Sequence, residues 1–279
     1  EADREALAGW VSGELRKHGA SKLEEKLRYP SYGNYVDHDK LFSGEVKAKA
    51  WSPARRWLVS PQIFHERVMD VFGLEGRERK GFVTRKFFGV TNPLMLPDHS
   101  GVRDYDINTL DGGHLLVMLT NAKWIAGKQI FAARLKTPKK EALLAGLNTQ
   151  DRWYPRETPP AFEVVVLKDG PPTEAEMVSA IQHQFDCVLR REATAAEVKK
   201  YLELLRSSIE LGGNIAGLQQ MLTTVLLESE FLYRMEFGDG EVDECGRAKL
   251  TPHEAARAIA YALGDRGPDA MLRQAAASG

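Results

Sequence analysis

Apolar side chains recur along much of this chain three and four residues apart, the spacing that lines one face of an α-helix. In residues 2–17, "ADREALAGWVSGELRK", Leu7, Trp10, Val11 and Leu15 share a face. Acidic residues come early there and basic ones late, which predicts a short amphipathic helix. The period fades from His18 to about Ser60. It returns in "PQIFHERVMDVFGL": Ser60 offers an N-cap, Pro61 suits the first turn, and Ile63, Val68 and Phe72 predict a packed helix ending at Gly73. "GGHLLVMLTNAKWIAGKQIFAARL" carries the longest helical pattern. Before it, "RKFFGVTNPLMLPDHSGVRDYDINTLDGGH" has no period and many turn formers. Loops of that length inside a compact domain tend to carry function.

A polar, proline-containing stretch, "NTQDRWYPRETPPAFEVVVLKDGPP", then reads as a connector, with "FEVVVL" as a short strand or extended chain. Beyond Pro172 the helix starts are explicit. Thr173 with Glu176, Thr194 with Glu197 and Thr251 with Glu254 each form a T-x-x-E capping box, and Pro252 fits a first-turn position. The second of these helices is expected to stop at Gly212-Gly213. Glu197 with Lys200 and Arg206 with Glu210 have the spacing of ion pairs on solvated helix faces. The expected fold class is mainly α, with an irregular, loop-rich N-terminal half and a C-terminal helical bundle.

Composition narrows the functional classes. The chain has 279 residues, 43% of them hydrophobic and 28% charged, enough to bury a core. A net charge of -1, with basic residues interspersed among acidic ones, lacks the footprint of a general nucleic-acid binder. The apolar run "LLVML", Leu115 to Leu119, is far short of the roughly 20 residues that cross a bilayer, so no membrane span is expected. The two cysteines, Cys187 and Cys245, stand in no C-x-x-C or C-x-x-C-H spacing, which disfavours a zinc ribbon or covalent haem attachment in this chain. Cys187 reads as a buried thiol and Cys245 as a loop residue, with a disulfide between them left open by the sequence.

Two loops carry candidate chemistry. In "YPSYGNYVDHDKLFSGE", Asp37, His38 and Asp39 offer oxygen and nitrogen donors for a metal or proton relay. The structural alternative, which is favoured, has Tyr29, Tyr32 and Tyr35 packing while an aspartate caps the next turn. In "LPDHSGVRDYDINTLDGGH", Asp104, Asp106 and Asn108 have the alternating spacing that opens a calcium loop. Thr109 and Leu115 then stand where such a loop needs its glycine and its bidentate glutamate. In the same stretch, His99 or His114 would serve as general base with Asp98 or Asp104 orienting the imidazole. The alternative is helix capping and pairing with Arg103.

Longer segments carry a family resemblance. "FDCVLRREATAAEVKKYLELLRSSIELGGNIAGLQQMLTTVLLESEFLYRMEFG", followed by "LTPHEAARAIAYALGDRGPDAMLRQAA", resembles paired helical domains of unknown function in large, secreted planctomycete-type cytochrome c proteins. "YPSYGNYVDHDKLFSGE" and "ARRWLVSPQIFHERVMDVFGL" resemble the middle region of the same proteins. The resemblance implies a periodic division. Residues 1–18 would be the closing helix of a truncated cytochrome c-like domain, and 19–150 a loop-rich, mainly helical domain. Residues 151–172 would form the connector, 173–238 a helical domain of unknown function, and 239–279 the start of a truncated second one. It also implies a periplasmic or secreted location and haem c in flanking domains, with no cofactor within this chain, since no C-x-x-C-H is present. The flanking cytochrome c domain is then the expected partner, beside a redox partner or a polysaccharide. Trp153 and Tyr154, in the polar connector, are the better aromatic candidates for exposure and for stacking on sugar, with packing the favoured alternative. Two readings follow: a non-catalytic helical scaffold supporting electron transfer, or an enzymatic or polysaccharide-binding module with its site in the 97–114 loop.

Overall fold

A computed structural model describes residues 55–92 apart from 86 and 88, residues 112–147, 151–238 and 248–278 apart from 265, and isolated positions before residue 55. Of those isolated positions, Ala6, Gly9, Trp10, Gly13, Glu14 and Lys17 are helical, in line with the expected N-terminal helix. The chain divides into two compact units, Glu1–Ala54 with Gly240–Lys249, and Arg55–Asp239 with Leu250–Gly279. The second unit is mainly α among the described residues. Its elements run β1 (Arg55–Leu58), α1 (Pro61–Val71), α2 (Gly76–Arg85), α3 (Gly112–Gln129), α4 (Phe131–Arg134), α5 (Lys140–Ala145), α6 (Pro160–Leu167), α7 (Glu174–Leu189), α8 (Ala195–Val225), α9 (Ser229–Leu232), β2 (Tyr233–Glu236), α10 (Pro252–Gly264) and α11 (Ala270–Ser278).

Local signals place the helix starts. The Ser60 hydroxyl accepts from the Ile63 amide at 3.3 Å with Pro61 in the first turn, and α1 gives way to Gly73 at φ 62. Thr173 and Thr194 complete reciprocal capping boxes with Glu176 and Glu197, and Thr251 and Glu254 exchange the same pair of bonds at 3.2 and 3.0 Å. Thr194→Ala is expected to cost about 1 kcal/mol, read as a lower urea midpoint at unchanged slope. The expected stop at Gly212-Gly213 is a sharp break in α8, with Gly213 at φ 78 and ψ 174.

The segment "FEVVVL" corrects the strand expectation, because it is helix. Pro159 and Pro160 open α6, and Phe162, Val165 and Val166 form an i, i+3, i+4 stripe that is buried. β-branched residues cost only tenths of a kcal/mol each in a helix, whereas each buried apolar side chain gains about 1.5–3 kcal/mol, so the tertiary contact decides. The stretch 151–172 is therefore a core element packed on α7 and α8 rather than a spacer. α1 likewise packs on α7, and α3 on α8, so one hydrophobic core spans both halves of the second unit. That unit also takes in Leu250–Gly279.

Paired contacts across sequence hold the halves in register. β1 and β2 form an antiparallel ladder, Arg55 opposite Glu236 and Leu58 opposite Tyr233. Inside the core, Gln129 donates to Gln184 at 2.8 Å, and Gln184 donates to the Leu222 carbonyl at 3.1 Å. The Asn121 side chain accepts from the Thr91 amide at 3.0 Å and donates to its carbonyl at 2.7 Å, satisfying a backbone that has no strand partner there.

Candidate functional site

The densest array of charge lies where α1, α7, α9 and α10 meet. Arg67 and Asp70 are one helical turn apart on α1, and both are buried to a residual exposure of 8%. α7 ends on Arg190, a non-glycine residue in the left-handed region at φ 58 and ψ 32. Such backbone is uncommon outside glycine, asparagine and aspartate. It turns Arg190 toward Asp70, at 3.3 Å, and sends Arg191 the other way, toward Glu230 on α9. α10 adds Arg257 and Tyr261, and Gly267 and Pro268 complete the wall of a small recess.

Asp70 and Glu230 are each held by more than one guanidinium. Asp70 accepts from Arg79 at 2.6 Å and lies 3.7 Å from Arg266 in addition to Arg190. Glu230 accepts from Arg191 Nε at 3.0 Å and from Arg257 at 2.8 Å. Arg191 in turn donates to Glu197 at 2.8 Å, tying the α8 capping box into the network. Burial pushes the Glu230 carboxyl up, but the Arg191 and Arg257 guanidinium groups outweigh it and hold the group below the usual carboxylate range. The Arg191 hydrogen bond, with smaller help from Thr194, brings Glu197 down to about 2. Among the described residues, Arg273 Nε is the one buried side-chain nitrogen or oxygen without a hydrogen-bond partner.

Arg67 is the exception to this pairing. It donates Nε to the Tyr261 hydroxyl at 2.9 Å, a second bond from Nη2 to the same oxygen, and Nη1 bonds to the carbonyls of Glu230 at 2.7 Å and Phe231 at 2.5 Å. None of these partners carries a charge. Burial lowers its pKa from the ordinary arginine value, with Tyr261 opposing the shift and Asp70 acting only as a weaker, longer-range influence.

Cys187 also borders the recess, with its sulfur 3.4 Å from His183 Nε2. A catalytic Cys-His pair needs thiolate and imidazolium. Here burial, reinforced by Asp186, pushes the thiol up to about 11, and burial lowers His183 as well, so both charged forms are disfavoured. Cys187 is a free thiol, as the sequence suggests, and it is an unreactive one. It is expected to react with a disulfide reagent at pH 8 far more slowly in the native protein than after denaturation, as followed by released chromophore.

The other sequence candidates fall elsewhere. His114 sits half-buried in the first turn of α3. Asp98, His99, Arg103, Asp104, Asp106 and Asn108 lie outside the described residues, as do Asp37, His38, Asp39 and Cys245. Among the described residues no group of three or more His, Cys, Asp and Glu is placed to hold a metal ion. Trp153 and Tyr154 are half-buried and follow the packing alternative. Trp153 packs edge-on to Phe72 at 5.0 Å and Phe82 at 4.7 Å, and the Tyr154 ring meets Phe131 at 4.7 Å. Buried Lys128 fixes the segment by donating to the carbonyls of Asp151 and Trp153 at 3.2 and 2.6 Å. The helix-face ion pairs change partners too: Lys200 reaches Glu228 at 3.2 Å, Arg206 pairs with Glu174, and Glu197 belongs to Arg191. Helix packing brings these partners within reach of one another.

The class defined by these features is a mainly α protein with an inter-helix ion-pair network among its described residues. No family model, curated protein or solved structure matches the chain. No helix among the described residues is long and apolar enough to cross a membrane.

Proposed function

We propose that this chain is a non-catalytic helical scaffold segment of a secreted or periplasmic multidomain c-type cytochrome protein, supporting electron transfer by haem c carried on flanking domains. The observation that supports the scaffold role is the arginine-carboxylate network. Its arginines and carboxylates bond to one another across α1, α7, α8, α9 and α10, an arrangement that fixes helix positions. The cytochrome context rests on the resemblance of the segments quoted above. Its test is a pyridine haemochrome spectrum of the protein expressed from its complete gene in a host that matures c-type cytochromes. A c-type α band is expected, and its absence would overturn the cytochrome reading.

The scaffold role has its own test in acid. Glu197 and Glu230 have folded pKa values below their unfolded ones, so their stabilisation is fully present above about pH 4.5 and is lost below it, for Glu197 as pH falls through about 2. The melting temperature of Glu230→Gln is expected to lie below that of the wild type at pH 7. The two curves should converge as pH falls below about 4.5, because the wild type loses what the variant already lacks. Parallel curves would show that the network contributes nothing to stability.

A further inference from the structure

We propose that the recess between α1, α7 and α10 binds a single halide-sized anion, chloride in ordinary buffers. Three arginines, Arg67, Arg190 and Arg257, line it together with Tyr261. The two carboxylates in the wall pair with two of these arginines, Asp70 with Arg190 at 3.3 Å and Glu230 with Arg257 at 2.8 Å, and each is shared with an arginine outside the recess, Arg79 or Arg191, so three lining cations meet two divided carboxylates. Positive charge is left over inside, most clearly on Arg67, which is buried and bonded only to uncharged oxygens. A buried charge without a counter-ion is costly, and an anion in the recess removes that cost.

Donors are available to receive it. Tyr261 oxygen accepts both bonds from Arg67, which leaves its own proton to be donated elsewhere. Arg257 commits Nη2 to the Leu189 carbonyl and Glu230, and Arg190 contacts Asp70 through Nη2, so both side chains retain further N–H groups. Size selects the guest. The recess has a volume of about 20 Å³, which suits one water-sized occupant and excludes phosphate or a larger carboxylate.

This inference deepens the reading of the network as a structural clamp, and it is tested separately from that reading. The melting temperature is measured in sodium chloride and in sodium gluconate at matched ionic strength and pH 7, for the wild type and for Arg190→Gly. Glycine suits the backbone at φ 58, so the variant is expected to fold while losing one lining cation. In the wild type, chloride is expected to raise the midpoint by roughly 3–5 °C for each tenfold increase above its dissociation constant, with bromide acting alike. Arg190→Gly should lose that response. Equal midpoints in the two salts, or a chloride response retained by the variant, would overturn the anion site. Neither result depends on the Glu230→Gln comparison, so the clamp and the anion can fail independently.

Discussion

Arg67→Ala is expected to lower the unfolding free energy by about 3–5 kcal/mol, the largest effect expected of any charged side chain among the described residues. Three acceptors lose their donor at once: the Tyr261 hydroxyl and the carbonyls of Glu230 and Phe231. Each buried acceptor left without a partner costs about 1–3 kcal/mol, and the truncated side chain leaves unfilled space as well. These acceptors lie on two other elements, the turn of α9 and the middle of α10, so the loss also loosens their seat on α1. Arg67→Lys retains a charge but cannot donate in a planar fork to both carbonyls and the hydroxyl, and it should recover less than half of the loss. Guanidinium denaturation of both variants decides the matter. A loss under about 1 kcal/mol for Arg67→Ala would mean that water replaces the guanidinium without cost and that the junction is not rigid.

How much of this was legible in the sequence follows from the range of each signal. Capping boxes were readable because threonine and glutamate three residues apart make their bonds within one turn, whatever the rest of the chain does. The break at Gly213 was readable for the same reason, since its conformation is local. "FEVVVL" was misread because a short run of β-branched and aromatic residues suits a strand and a buried helix alike, and only the neighbouring α7 and α8 choose between them. Trp153 looked solvent-facing because its sequence neighbours are polar, while the rings it meets come from Phe72, Phe82 and Phe87, far upstream. The recess was missed altogether. Arg67, Asp70, Arg190, Glu230, Arg257 and Tyr261 come from four separate helices or helix ends, and no spacing rule links them. The one available hint was the adjacent pair Arg190-Arg191 at a helix end, where one cation would satisfy the helix dipole and the second calls for a partner.

Gly217→Val is the second large effect, expected at about 3–4 kcal/mol and again read by denaturant or thermal unfolding. The break at Gly213 folds the second part of α8 back against the first, so that a Cβ on Gly217 would stand 2.7 Å from the Ile209 amide nitrogen and 2.9 Å from its Cα. A side chain in the way could rotate aside, but these are backbone atoms and the clash can be relieved only by separating the two helical arms. Separation would reach the core, because Leu218, Met221 and Leu222 follow directly on the second arm and are fully buried. Gly213→Ala probes the hinge itself: at φ 78 and ψ 174 the backbone is open essentially to glycine alone, and the substitution should cost about 1–3 kcal/mol without any steric contact. Strain at Gly213 and crowding at Gly217 act on one crossing, so the double variant should lose less than the two single losses added together. Strict additivity would indicate that the arms close independently of the hinge, and the close approach at Gly217 would then have to be held by the core contacts of the second arm alone.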